Sequence, residues 1–413
     1  TKCQVYIKYI EKLLESDEIM KYGLITFKDT ENIGDDIQSY AAIRFLPKID
    51  YYIEREKLDL FLPSKKEQVI TIMNGWFLHS KINFPISPYI YPIFVSTHFS
   101  AYNSGGIKTE YINSYTKKSL MKYGPIGCRD LSTVNLLNEN NIDNYFSGCL
   151  TLTIQKDKKI KKKDHICIVD IEESAEMYLK EKFKDIKIIK KTHVLGKEEN
   201  SKLSYEERFD NVKKLLEVYQ ESKLVITSRL HCALPCLALG TPVILLYDEN
   251  KLYTKDRLKD YAEILTHMST KEFLLHGEEI IKKGVINPKD YLKIRKRVES
   301  IVKDKLENCK VENKDLPSIK EYKELYIEPK ENIDFLYNVA VLDMDTRKRE
   351  YINLQYERDY WKKEFNYAVL KKDECLEENK TLHLKLIELQ KQLDTIKNSK
   401  GYKILEKVRK FKN

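Results

Sequence analysis

Short apolar runs alternate with helical patterns from Tyr22 to about Ile154. YGLITF (Tyr22–Phe27) reads as a strand, and a polar loop leads from it into a helix through IQSYAAIRFL. QVITIM (Gln68–Met73), YPIFVS (Tyr91–Ser96) and the PIGC run before Arg129 are further strand candidates. The same alternation returns in HICIVD (His165–Asp170), IKIIKK near Ile186, a long helix across Tyr205–Gln220 and KLVITS (Lys223–Ser228). A helix from about His231 to Leu239 and PVILLY (Pro242–Tyr247) complete it. Strand–helix alternation of this kind predicts α/β architecture, with parallel sheets carrying helices on both faces. Two such Rossmann-like halves would face each other across a cleft, with ligands held off the carboxyl ends of the strands.

The breaks in the pattern mark domain boundaries. QKDKKIKKKD (Gln155–Asp164) interrupts the alternation with lysines and reads as a solvated linker over residues 156–164. Residues 1–155 then read as the first Rossmann-like domain and 165–300 as the second. Strand signals are lost beyond about Ser300, so residues 301–350 read as a connector. From Leu354 a heptad register passes through Trp361, Phe365, Ala368, Cys375, Leu382, Leu386, Leu389, Leu393 and Ile396, which predicts a C-terminal α-helical coiled coil over 351–398. Self-association through this coil is the expectation, and packing of the helix on the chain's own body is the alternative. The last segment, 399–413, mixes Tyr402, Ile404, Leu405, Val408 and Phe411 with six cations. A basic amphipathic segment suits an anionic membrane surface, so contact through residues 400–413 is expected.

Composition narrows the class. The chain has 413 residues, a net charge of +9 and 42% hydrophobic residues, too apolar for disorder and long enough for two or three domains. Nowhere do about 18 apolar residues run uninterrupted, so no spanning helix is expected. Acid and lysine come early in TKCQVYIKYIEKLLESDE, which argues against a signal peptide. The cysteines are scattered in mostly apolar surroundings, as reduced cytosolic thiols are. Cys232 and Cys236 stand one helical turn apart with no second ligand pair, so no metal is expected. No phosphate loop or dinucleotide fingerprint follows a strand, and no basic–aromatic stripe points to nucleic acid.

VITSRLHCALPCLALGTPVILL (Val225–Leu246) is the most informative stretch. Its first residues form a buried strand, Ser228 is a candidate cap, and Gly240 suits the left-handed end of the helix. Pro235 is best tolerated in a first turn, which predicts a helix start near His231–Ala233. Arg229 and His231 then lie where a strand ends and a helix begins, an anion site with an acid–base candidate.

The TSRLHCALPCLALGTPVI run resembles the signature of the polysaccharide pyruvyl transferase family. NIGDDIQSYAA (Asn32–Ala42), VITIMNGWF (Val69–Phe77), IFVSTH (Ile93–His98) and the segments from GPIGCRD to YFSGCLTLTI (Gly124–Ile154) agree with it in order and spacing, so the resemblance spans roughly residues 22–265. It implies a glycosyltransferase-B-like pair of Rossmann domains. It also implies transfer of the enolpyruvyl unit of phosphoenolpyruvate to two hydroxyls of a bacterial surface-glycan sugar, giving a pyruvate ketal and phosphate. Phosphoenolpyruvate is then the donor substrate, a glycan the acceptor, and no cofactor is required. The expected place of work is the cytoplasm, at the inner face of the plasma membrane.

By the same resemblance His231 is the acid–base residue. Arg129 and Arg229 clamp the donor, with Ser228 and Leu230 beside Arg229. An arginine fork suits phosphate or carboxylate through paired hydrogen bonds. Asp35 and Asp36 fit a first helical turn electrostatically, and one of them is a candidate base at the acceptor. Asn74-Gly75-Trp76 reads as a tight turn presenting an aromatic ring, and His98 and His193 follow strand ends; these five are the acceptor-side candidates. A glycosyltransferase with a nucleotide-sugar donor would suit the same cleft, and a catalytically silent scaffold organised by the coil is a third reading.

Overall fold

The computed structural model describes residues 20–28, 30–78, 83–100, 112–248, 260–331, 350–362 and 376–412. It divides into two units, Thr1–Ile319 and Lys320–Asn413. The first nineteen residues, and the part of the heptad register through Phe365, Ala368 and Cys375, lie outside the described residues.

The first unit is mixed α/β with parallel sheets throughout its described strands. Strand β1 (Lys21–Thr26) leads to α1 (Ile33–Ile43), and β2 (Tyr51–Glu54), β3 (Val69–Ile72), β4 (Gly75–Phe77), β5 (Ile90–Ile93) and β6 (Thr97–Phe99) follow. Then come α2 (Ser114–Lys122), β7 (Ile126–Cys128), α3 (Leu131–Glu139) and β8 (Asn144–Phe146). These strands make two four-stranded sheets, in the orders β2-β1-β3-β5 and β4-β6-β7-β8. Only Met73 and Asn74 separate β3 from β4, and Gly127 of β7 donates to the Phe94 carbonyl just past β5 (3.1 Å). The two sheets therefore continue one another as a single twisted layer. Its direction of winding reverses beside β1, where β2 and β3 flank it, and that is where such layers hold ligands.

The second half runs β9 (Lys163–Val169), α4 (Glu173–Lys182), β10 (Lys187–Lys191), α5 (Lys197–Lys202), α6 (Tyr205–Glu221) and β11 (Ser222–Thr227). It continues through α7 (Leu230–Leu239), β12 (Val243–Tyr247), β13 (Thr266–Ser269), α8 (Thr270–Lys283) and α9 (Tyr291–Glu307). Its sheet has the order β10-β9-β11-β12-β13, so winding reverses between β9 and β11. The residues of the lysine-rich linker are exposed, with Ile160 half-buried, but the Lys162 ammonium turns inward. Lys162 donates to the Ser222 carbonyl (2.8 Å) and the Thr241 hydroxyl (2.7 Å), and burial pulls its pKa down to about 8. Lys163 already belongs to β9.

One apolar core joins the two halves. Ile33, Ile37 and Ala41 of α1 pack with Val212 and Leu216 of α6 and with Cys232, Ala233 and Leu237 of α7. Separate cores fill the outer face of each sheet, around Phe77 and Phe99 in the first half and Ile168 and Phe273 in the second. Apart from His231 in its first turn, helix α7 is apolar all round, as a helix enclosed between layers must be. It begins at Leu230, earlier than the proline argument placed it, so Pro235 falls in the second turn. Gly240 ends it at φ +71°, as expected of a left-handed cap.

In the second unit a helix, α10, covers residues 350–362, and α11 (Leu376–Asn398) and α12 (Lys400–Lys412) follow. Leu389 and Leu393 are buried, whereas Leu384 and Ile387 are exposed, so the heptad stripe is the covered face. Leu354 shares a groove with Gln392 and Ile396, and the Lys397 ammonium lies 5.4 Å from the Tyr351 ring. Part of the stripe is thus covered within one chain. Among the described residues no helix is long and apolar enough to cross a membrane.

Candidate active site

Helix α1 starts where β1 ends. Asn32 caps it, its Oδ1 accepting from the Gly34 N–H (3.0 Å). Gly34 leaves room for the second half to approach: a Cβ there would lie 3.3 Å from His193 Nδ1 and from His231 Cβ. The backbones also join at this point, the Ile33 N–H donating to the His193 carbonyl (3.0 Å).

One turn into α1, Asp35 and Gln38 face inward. Asp35 accepts from the Thr30 hydroxyl through Oδ2 (2.7 Å) and from the Gln38 amide through Oδ1 (3.2 Å). Gln38 Oε1 accepts from Arg129 Nη1 at 2.5 Å, and the same nitrogen stands 3.4 Å from His231 Nε2. A guanidinium has donors only, so His231 Nε2 faces it as the acceptor. That tautomer carries its proton on Nδ1. Arg129 is 1% exposed, Gln38 2% and His231 8%. Asn74 follows β3 and donates to the Gln38 main-chain carbonyl (2.7 Å), while its own Oδ1 is a buried acceptor with no partner among the described residues.

Arg129 follows β7 and Asp130 caps α3, accepting from the Thr133 N–H (2.9 Å). The other Asp130 oxygen lies 2.6 Å from His98 Nδ1 and 3.7 Å from Arg129 Nε. Burial works against the Asp130 charge, but His98, Arg129 and the Thr133 hydroxyl outweigh it and hold the carboxyl well below the usual range. Trp76 lies beside His98, ring centres 5.9 Å apart. Gly75-Trp76 is not the expected tight turn: both residues belong to β4, paired with Thr97 and His98 of β6.

At the second reversal, Asp170 (φ +50°) follows β9 and Arg229 follows β11. Arg229 Nε donates to Asp170 Oδ2 (2.8 Å), which also accepts from the His193 N–H (3.0 Å). Burial opposes the Asp170 charge, yet Thr192, the His193 N–H and Arg229 together lower its pKa. Ser228 does not cap α7. Its hydroxyl donates to the Asp170 carbonyl, and Arg229 occupies the cap position without a side-chain bond. Leu230, half-buried, is the first residue of α7. The His193 ring turns to Tyr219, with Nε2 2.8 Å from the phenol oxygen.

Most of the expected residues thus fall in three groups, two of them with an aspartate not foreseen as a site residue: Asp35–Arg129–His231 with Asn74, then His98–Asp130 with Trp76, then Asp170–Arg229 with Ser228, while the His193 ring lies apart on Tyr219. Asp36 goes elsewhere. Both its oxygens accept from Arg208 Nη2 (2.8 and 3.0 Å), and Nε makes a third bond at 3.2 Å. Arg208 also holds the Phe27 and Lys28 carbonyls (2.6 and 2.9 Å), so this buried pair ties α6 to the end of β1. Burial outweighs the arginine and pushes the Asp36 carboxyl up to about 6. Gln38, Asp170 and Arg208 escaped sequence reasoning. Asp170 alone carried a signal, its place at a strand's carboxyl end. Among the described residues no three His, Cys, Asp or Glu side chains gather as a metal site.

The family model for polysaccharide pyruvyl transferase matches residues 32–250, just over half of the chain and every residue of the three groups. The chain belongs to the polysaccharide pyruvyl transferase family. Solved structures are similar to it only at low identity. One is a functionally uncharacterised protein from Klebsiella pneumoniae, at 14% identity and a TM-score of 0.33, covering 61% of this chain and 92% of that one. A second is a UDP-N-acetylglucosamine 2-epimerase, at 12% identity and a TM-score of 0.37, covering 70% and 96%. Escherichia coli heptosyltransferase WaaC with ADP-2-deoxy-2-fluoro heptose matches at 10% identity and a TM-score of 0.31, covering 64% and 100%. No curated protein matches the chain.

Proposed function

We propose that this family member transfers the enolpyruvyl group of phosphoenolpyruvate to a sugar of a bacterial surface-polysaccharide intermediate, closing a pyruvate ketal and releasing phosphate. The observation that carries the reading is the contact of buried Arg129 with His231 at strand and helix ends, with Arg229 on the neighbouring turn. Phosphoenolpyruvate brings a carboxylate and a phosphate, and two arginines plus the amino end of α7 supply the opposite charge.

On this reading a sugar hydroxyl adds to C2 of the donor and loses its proton to His231. The imidazolium returns a proton to the methylene carbon, which becomes the methyl group. A second hydroxyl then forms its bond to C2 as the bond to the phosphate oxygen breaks, and its proton leaves with phosphate. Arg129 and Arg229 stabilise the charge that collects on that leaving group. Trp76 offers the acceptor sugar an apolar face, and Asn74 Oδ1 awaits a hydroxyl donor. Residues 400–413 are assigned to an anionic membrane surface on the same reading, which binding to anionic liposomes with and without that segment tests.

The test of the reaction is phosphate release from phosphoenolpyruvate with nucleotide- and lipid-linked glycans, with mass spectrometry of the acceptor. A product heavier by one ketal-linked pyruvate supports it. At least about a tenfold loss in His231→Ala, equivalent to about 1.4 kcal/mol of barrier, supports the proton role. Transfer of a sugar from a nucleotide donor with no use of phosphoenolpyruvate would make the protein a glycosyltransferase instead.

A further inference from the structure

We propose that Asp35 and Gln38 are a positioning relay for Arg129, so that Asp35 orients the donor clamp and does not take the acceptor's proton; this rests on the reading above. An ionised carboxylate only accepts hydrogen bonds and a guanidinium only donates them, whereas an amide can turn either way. Asp35 Oδ1 faces the Gln38 NH2 (3.2 Å), which leaves Gln38 Oε1 for Arg129 Nη1 (2.5 Å). The carboxylate therefore decides the orientation of the amide, and the amide fixes the arginine. Thr30 occupies the second oxygen of Asp35 (2.7 Å), so both oxygens are already engaged. Asn74 pins the Gln38 backbone from the end of β3 (2.7 Å). Asp35, Gln38, Asn74 and Arg129 are all buried, and the chain of bonds ends 3.4 Å from His231. A side chain held this way reaches the developing charge without reorganising.

Four variants test the relay. Gln38→Leu removes the acceptor of Arg129. Asp35→Asn removes the acceptor-only group that dictates the orientation, so that the Gln38 amide is no longer held with Oε1 toward the guanidinium. Gln38→Glu places two carboxylates together, and one of them must hold a proton. The double variant Asp35→Asn with Gln38→Glu restores the pattern, an amide donating to a carboxylate that accepts from Arg129. Each single variant is expected to lose at least about tenfold in kcat/KM, carried mainly by KM for phosphoenolpyruvate. Gln38→Glu alone should gain a further ionisation in its pH–rate profile, beyond the His231 dependence that wild type and the double variant share. The double variant should recover to within about threefold of wild type, an interaction only a coupled pair shows. Singles within about twofold of wild type, or a double variant no better than the worse single, would overturn the relay. If wild type fails to use phosphoenolpyruvate, the functional reading has failed, and the relay is then judged without substrate. Modification of Arg129 by phenylglyoxal, mapped by mass spectrometry, should quicken in the singles and slow again in the double variant. Equal rates across melting-matched variants would refute it.

Discussion

Arg129 and Arg229 each follow a strand of a parallel sheet, one after β7 and the other after β11, and each has an aspartate within reach. Their surroundings differ. The Arg129 side chain is 2% exposed and ties to Gln38, His231 and Asp130. The Arg229 side chain is 38% exposed and uses only Nε on Asp170, leaving its terminal nitrogens without a partner among the described residues. A buried arginine held at Nη1 and Nε keeps one position and still offers Nη2, whereas an exposed one held at a single nitrogen can follow a ligand. The first half of the unit therefore contributes the rigid side of the candidate site and the second half the adaptable side.

Loosening the rigid side should have the largest effect. Asp36→Ala leaves Arg208 buried and uncompensated at the foot of α1, which should cost about 3–5 kcal/mol in urea unfolding. A loss below about 1 kcal/mol would mean that α1 is not anchored there. Arg129→Ala should next lower kcat/KM by about 10²–10³ with phosphoenolpyruvate, or about 3–4 kcal/mol of transition-state stabilisation. Steady-state kinetics at matched foldedness checks this.

The pH dependence of stability sharpens the contrast. Asp36 has its carboxyl pushed up to about 6, so its contribution is present below the unfolded value near 3.9 and is lost as pH rises through about 6. Asp170, lowered by its partners, has the opposite sign: its contribution is present above about 3.9 and lost as pH falls. Between pH 4 and 7 wild type should lose roughly 2 kcal/mol relative to Asp36→Asn, while Asp170→Asn should run parallel to wild type there. Melting curves across the range distinguish the two. The smallest effect belongs to Arg229→Ala, with about tenfold weaker donor binding and under about 1 kcal/mol of stability, since its ion pair is partly exposed.

Much of the fold was legible because apolar runs and turn chemistry are local. YGLITF, QVITIM and KLVITS became β1, β3 and β11, and Gly240 ended α7 in the left-handed region. Tyr51–Glu54 and Asn144–Phe146 were missed because such short, mostly half-buried strands carry too few apolar positions to stand out. YPIFVS was read as one strand, but the chain leaves β5 after Ile93 and turns at Ser96 (φ +56°) before β6. The candidate site was half legible. Arg129, Arg229 and His231 stood out by motif, but nothing local says that Gln38 faces inward. Arg208 lies in the polar run YEERFDNV and reads as a solvent-facing residue until α6 is folded against Asp36, 172 positions away in sequence.

Thermal melting with phosphoenolpyruvate, run beside a panel of nucleotide sugars on wild type and Arg129→Ala, tests the central claim most directly. At about 100 times its dissociation constant a ligand stabilises by about 2.7 kcal/mol, enough for a shift of a few degrees. Stabilisation of wild type by phosphoenolpyruvate alone, abolished in a folded Arg129→Ala variant, is the expected result. A shift with a nucleotide sugar and none with phosphoenolpyruvate would contradict it.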